Sequence, residues 1–215
     1  MDFNEKFVIT VSRELGSGGH TVGLKLAEKL GVRFCDKELI DGLVKEFNLT
    51  PTAIEQLKGK KKNWFADFVK YLSPGQGAAV FTPEDGVYGR EYNPDVKTDD
   101  IFLAETEILK GLADESSCVI TGRSGFFVLR DHPNRADIFL TASREHRIER
   151  VMRRQCLERS VAEEVIDEVD KGRENYVQRY SGKSRYDARN YHLVLNMDNL
   201  TEDEAVDIIL TYLKK

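Results

Sequence analysis

The stretch that decides the reading is "FVITVSRELGSGGHTVGLKLAEKLG", Phe7 to Gly31. It opens on a short apolar, β-branched run and passes through a glycine-rich turn. It then continues into an apolar repeat of Val22, Leu26 and Leu30, which Gly31 terminates. A strand, a turn and a helix in this order leave the first N–H groups of the helix without partners. Those groups, with the positive end of the helix dipole, attract an anion. Gly16, Gly18, Gly19 and Gly23 place four glycines within eight residues, so the backbone can bend sharply and approach an anion closely. Such flexibility costs folding entropy, which favours an anion site over a turn with no ligand. Ser17 and Thr21 add hydroxyls, and Thr21 is placed to reach a magnesium ion accompanying a phosphate. His20 reads as a solvent-facing helix residue, with a phosphate contact as the second reading. The pattern is not the full G-x-x-x-x-G-K-[ST] phosphate loop. Aligned on "GSG", Arg13 takes the place of the first glycine and Gly19 that of the lysine.

Outward from this stretch, apolar runs predict strands at 7–11, 32–36, 118–122, 136–141 and 192–196. Helical repeats lie between them. Ile101, Ala104, Ile108 and Leu112 recur before the third strand, and Ile148, Val151 and Met152 line a helix after the fourth. Thr201 and Glu204 form a capping box that starts the last helix. Strands alternating with helices predict an α/β fold, a five-stranded parallel sheet with helices on both faces. Residues 73–100 are rich in Gly, Pro and Asp and read as a long surface loop inserted in that core.

Composition narrows the function classes. The chain has 215 residues, 40% of them apolar, which suits one domain with inserts. A formal net charge of −5 argues against a general nucleic-acid binder. Three cysteines with no CxxC or Cys/His spacing give neither a disulfide framework nor a zinc site. The N-terminus carries acidic residues and a short apolar run, unlike a signal peptide, and no stretch approaches a membrane span. The expected setting is a reducing cytoplasm, with no membrane and no nucleic acid as partner.

A second constellation runs from Cys118: "CVITGRSGFFVLRDHPNRADIFLTASREHRIERVMRR". One strand ends in Gly122-Arg123. Another ends in "FLTAS", and the helix after it carries Arg147, Arg150 and Arg154 on one face. "DEVDKGRENYVQRYSG" and the final "YHLVLNMDNLTEDEAVDIIL" follow. In this order the chain resembles the cytidylate kinase family of nucleoside monophosphate kinases, in particular its cytidylate kinase-like branch. The resemblance covers nearly the whole chain and is weakest from about 43 to 100.

The resemblance implies a single P-loop kinase domain over 1–215, with an acceptor-binding insert at 43–100 and an arginine-rich lid at 155–190. It implies phosphoryl transfer from ATP to CMP or dCMP, with Mg2+. Gly16, Ser17, Gly18, Gly19, His20 and Thr21 then fall on the donor phosphate loop. Asp36 falls near the acceptor nucleotide, and Arg123 on the arginine that holds the acceptor monophosphate. Arg147 and Arg150 fall on the helix leading into the lid, and Lys171, Arg173 and Arg179 within it. Three departures stand out: Gly19 for the loop lysine, Ser124 for the aspartate after Gly-Arg, and "KELID" after Asp36. The chemistry asks for positioning and charge neutralisation, so the missing ammonium needs a substitute. The candidates are Arg13, Lys171, Arg173 and Arg179. Each arginine also has a plainer reading. Arg147 and Arg150 alternate with Glu145 and Glu149 as on a solvated helix face. Asp36 reads equally as a helix cap, and Arg13 as a surface partner of Glu14 or Glu38.

Overall fold

The computed structural model describes residues 1–36, 98–122 and 124–214. The central strand β1 (Val8–Arg13) is buried along all but its last residue, as a strand with helices on both sides must be. It is followed by α1 (Gly19–Leu30), β2 (Arg33–Cys35), α2 (Thr98–Glu115), β3 (Cys118–Thr121) and a short α3 (Gly125–Val128). Then come β4 (Arg135–Thr141), α4 (Arg144–Gln155), α5 (Arg159–Ser181), β5 (Leu193–Asn196) and α6 (Glu202–Leu213). The five strands form one parallel sheet in the order β2-β3-β1-β4-β5. This is the P-loop kinase fold expected from the sequence.

Successive β1 side chains alternate between the two faces of the sheet, and each face has its own core. Val8 joins Cys35, Ile108, Leu109, Leu112 and Leu129 under α2 and α3. Ile9 and Val11 join Val22, Leu26, Ile138, Leu140, Val206 and Ile209 under α1 and α6. A third cluster matters more for function. Leu15, two residues beyond β1, packs with Ile148 and Val151 of α4 and Ala162 and Ile166 of α5. Through it the arginine-bearing helices are seated directly on the glycine-rich loop.

The termination signals act as the sequence predicts. Gly31 closes α1 in the left-handed conformation (φ 64°), and Thr201 and Glu204 form the reciprocal capping box of α6. One boundary differs: residues 98–100, read as the end of the inserted loop, already belong to α2. Ala104, Ile108 and Leu112 form the apolar face that holds α2 to the sheet, and the helix starts earlier than the loop composition suggests. The rest of the insert lies outside the described residues, as does Arg123.

Candidate functional site

The loop Glu14–Gly18 sits at the carboxyl edge of the sheet, where the strand order reverses about β1 and ligands of open α/β sheets bind. Gly16 (φ 81°) and Gly18 (φ 83°) both take the left-handed conformation. Gly16 is also pressed against α4: a Cβ there would lie 2.6 Å from the carbonyl oxygen of Arg147. The Ser17 hydroxyl and N–H both turn back to the Glu14 carbonyl, at 2.9 and 3.3 Å. Ser17 therefore shapes the loop from inside rather than presenting its hydroxyl outward. α1 begins on Gly18 with no side-chain cap and no acidic residue in its first turn. The N–H groups of that turn are left to solvent or to a ligand, and the dipole there favours negative charge.

Arginines surround this loop. A hollow in front of it is lined by Arg13, Arg154 and Arg173, together with residues of the loop and the first turn of α1. Arg154 donates to the Thr21 hydroxyl at 3.3 Å. Arg150 lies against Gly18, its Cζ 3.3 Å from where a Cβ would stand. Its Nη2 is 2.6 Å from the Glu202 carboxylate, yet Nε and Nη2 are buried without satisfying hydrogen-bond geometry. Burial pushes the Glu202 carboxyl up, but a backbone hydrogen bond and Arg150 hold it below its ordinary value.

Behind the loop, Asp170 of α5 gathers the positive groups. It accepts from Leu15 N at 3.1 Å, from Arg147 at 2.7 Å and from Arg185 at 3.2 Å, and Arg173 lies 3.5 Å away. Arg173 (3.2 Å) and Arg185 also donate to the carbonyl of Arg13. One buried carboxylate thus ties α4, α5, the segment after α5 and the end of β1 to one another. The Glu14 carboxylate accepts from the Thr141 hydroxyl and the Ala142 N–H and lies 3.8 Å from Arg147.

Several expected residues gather here and others do not. Gly16, Gly18, Gly19, His20, Thr21, Arg13 and Arg173 share the hollow, with Arg150 against Gly18. Arg147 is buried beneath the loop and engaged with Asp170, so its surface reading is corrected: the Leu15 cluster pulls that face of α4 inward. His20 is less open than a solvent-facing residue. Its Nε2 lies 3.2 Å from Asp36, and its ring meets Phe34 edge-on. Asp36 stands at the end of β2 facing the first turn of α1. Arg179 points away from the loop, pairing with Asp99 at 2.8 Å while 57% exposed, and Lys171 is exposed on α5. Arg154, read from the sequence only as sharing a face with Arg147 and Arg150, joins the site here, while Asp170 and Arg185 emerge only here. Arg154 has a sequence signal, since 147, 150 and 154 share one helical face. Asp170 and Arg185 have none.

Among the described residues, Thr21 Oγ1, which accepts from Arg154 in the lining of the hollow, is the oxygen that would meet a magnesium ion carried by a nucleotide. Such ions keep most of their ligands from water and phosphate. The residues do not fit a protein cage, because no group of three or more His, Cys, Asp or Glu side chains comes together among the described residues.

Comparison with known proteins places this geometry in context. The pattern of the cytidylate kinase-like family matches residues 8–199. The cytidylate kinase of Sulfurisphaera tokodaii is 28% identical over 149 residues, spanning 67% of this chain and 81% of that protein. Among solved structures, an uncharacterized protein from Eubacterium ventriosum superposes with a TM-score of 0.71 at 24% identity, over 98% of this chain and 99% of that one. The shikimate kinase of Bacteroides thetaiotaomicron aligns at a TM-score of 0.51 and 14% identity, over 97% of this chain and 99% of that one. The gluconokinase of Sinorhizobium meliloti aligns at 0.51 and 17%, over 97% and 92%. At these identities the solved structures speak to the fold.

Proposed function

The chain belongs to the cytidylate kinase-like family, and from that premise we propose that it transfers the terminal phosphoryl group of ATP to CMP or dCMP. The observation that carries the reading is the uncapped loop ringed by guanidinium groups at the carboxyl edge of β1. Phosphoryl transfer needs positioned charge and little covalent chemistry from the protein. Arginine suits that task because its planar fork grips phosphate oxygens in pairs.

In this reading the N–H groups of Gly18 to Thr21 hold the donor phosphates. Arg150, Arg154 and Arg173 neutralise them from the α4–α5 side. Arg123, by its place in the family pattern, holds the acceptor monophosphate, and Asp36 stands on the acceptor side at the end of β2. Thr21 would hold a magnesium ion brought by ATP, and such an ion would supply Lewis-acid stabilisation of the transferred group. The Thr21 hydroxyl accepts from Arg154 at 3.3 Å, and that guanidinium beside it is placed to meet a phosphate. Seating α5 against the loop through Leu15 and Asp170 keeps bulk water from the back of the site, which limits ATP hydrolysis.

The test is ADP release with CMP, dCMP, UMP, AMP and GMP, with shikimate and gluconate added because kinases of those acceptors share the fold. CMP and dCMP are expected to be the fastest. Equal or reversed rates among the monophosphates remove the cytosine preference. ATP binding with no transfer to any acceptor leaves a nucleotide-binding protein, the reading that glycine at position 19 favours. For Arg123→Ala the expected result is a raised KM for CMP and a lowered kcat. An unchanged CMP dependence removes Arg123 from the acceptor site.

A further inference from the structure

Position 19, where the common phosphate loop carries its lysine, is occupied by a glycine for a steric reason. Arg13, the last residue of β1, lays its side chain directly across it. A Cβ on Gly19 would stand 2.5 Å from Arg13 Cβ and 2.7 Å from its Cγ. The side chain then runs on to the end of β3. A Cβ on Gly122 would stand 2.4 Å from Arg13 Nη1, and Gly122 is itself left-handed at φ 83°. At 19 the obstructing atoms are the root of the Arg13 side chain, so no side chain fits there while Arg13 keeps this course. At 122 the guanidinium end could move aside, and the left-handed φ is what favours glycine. The root of the side chain is fixed as well. Arg13 pairs with Leu140 in the sheet, and its carbonyl accepts from Arg173 and Arg185.

The guanidinium is thereby brought from the first turn of α1 to Gly122, the residue before Arg123. On the reading above, that is the gap between donor phosphates and acceptor phosphate. We propose that Arg13 is the catalytic cation of this loop, entering from the strand end, and that Gly19 is a glycine because its side chain passes against it. The inference rests on the kinase reading. In the step, an oxygen of the acceptor monophosphate bonds to the terminal phosphorus of ATP as the bond from that phosphorus to the bridging oxygen breaks. The electron pair stays with that oxygen on ADP. Arg13 keeps its protons throughout and offsets the negative charge shared by the two nucleotides, which otherwise repel.

The experiment compares the parent with Arg13→Gln, Arg13→Ala and the exchange pair Arg13→Ala/Gly19→Lys. Thermal melts check folding, calorimetry measures ATP affinity, and single-turnover mixing measures transfer. Arg13→Gln keeps the stem over Gly19 and removes only the charge. It is expected to bind ATP within about tenfold of the parent and to slow transfer by about 10³-fold, the scale of a lost arginine finger. In Arg13→Ala/Gly19→Lys the space vacated by Arg13 admits the lysine, and transfer is expected to recover at least ~10-fold over Arg13→Ala. Parent-like transfer in Arg13→Gln overturns the assignment, and a double variant no faster than Arg13→Ala overturns the exchange. The kinase reading fails separately, on a parent that binds ATP and phosphorylates no acceptor. In that case there is no transfer for Arg13 to assist, and its assignment as a catalytic cation is overturned together with the kinase reading.

Discussion

The two sides of the arginine-rich segment from 144 to 189 use the same residue in opposite settings. On the outside, Arg144 meets Asp167 through bonds of 2.6 and 2.9 Å, and Arg159 meets Glu145 at 2.7 and 2.6 Å. Arg179 meets Asp99 at 2.8 Å and Arg189 meets Asp187 at 2.7 Å. Each of these arginines is about half exposed or more, and each meets a carboxylate. On the inside, Arg147, Arg150, Arg154, Arg173 and Arg185 crowd the loop together with Arg13. Among the described residues, four of these guanidinium groups meet Glu14, Asp170 or Glu202: Arg147, Arg150, Arg173 and Arg185. Asp36 stands by His20 at the mouth. The outer pairs are complete in themselves, and water screens them. Among the described residues the inner set holds more guanidinium groups than carboxylates, in a place where desolvation makes charge costly. The proposed phosphate site rests on that asymmetry.

The sharpest way to break this contrast is to remove one carboxylate from each side. Asp170→Ala strands the buried guanidinium groups of Arg147 and Arg185 and releases Leu15 N. Losing one partner of a buried pair costs about 3–5 kcal/mol, or a Tm lower by roughly 6–20 °C for a chain of this size. Asp167→Ala, on the outer side, is expected to leave the Tm where it was. Equal losses in thermal denaturation would erase the distinction between the sides.

A smaller effect is expected from the arginines themselves. Arg150→Ala removes a guanidinium lying against Gly18. At ~1.5–3 kcal/mol for a charged hydrogen bond, the Kd for ATP rises about 10- to 100-fold. Arg159→Ala, taken from the solvent side, should leave that Kd unchanged in the same calorimetry. An equal rise in both would mean that net charge, rather than placement, governs binding.

The smallest effect lies farthest from the loop. Thr201→Ala removes half of the α6 capping box at a cost of about 1 kcal/mol, or roughly 2–4 °C in Tm. Backbone and side-chain hydrogen bonds from Thr201 hold the Glu204 carboxyl below its ordinary value. A depressed carboxyl stabilises fully above its unfolded pKa and loses that contribution as pH falls through the folded one. The Tm gap between parent and variant should therefore be constant at neutral pH and narrow below the ordinary glutamate range. A gap that widens in acid would mean that Glu204 is not the group being held.

Much of this was legible from local pattern. The elements of the sheet, the Gly31 stop, the Thr201 cap and the one-sided placement of 147, 150 and 154 depend on spacings of two and 3.6 residues, and those are written along the chain. What those arginines face was not legible. Asp170 reaches Leu15 across 155 residues and Arg185 reaches the Arg13 carbonyl across 172, and no periodicity connects either pair. Sequence likewise offered Lys171, Arg173 and Arg179 together as lid residues. Their spacing alone does not say which face of α5 meets the loop. Packing of Ile166 against Leu15 turns Arg173 inward, and Arg179 is left outside with Asp99.

The sequence by itself determined the strand-turn-helix at the front of the chain, the parallel α/β order behind it and the family to which it belongs. Each of these follows from short-range backbone preferences and from the burial of alternating or helical apolar faces. Only the tertiary structure shows what fills the space beside position 19. Whether a missing lysine is a loss or an exchange depends on whether another side chain fills its space. That depends on the pairing of β1 with β3 and β4, which brings Arg13, Gly19 and Gly122 within contact distance of one another.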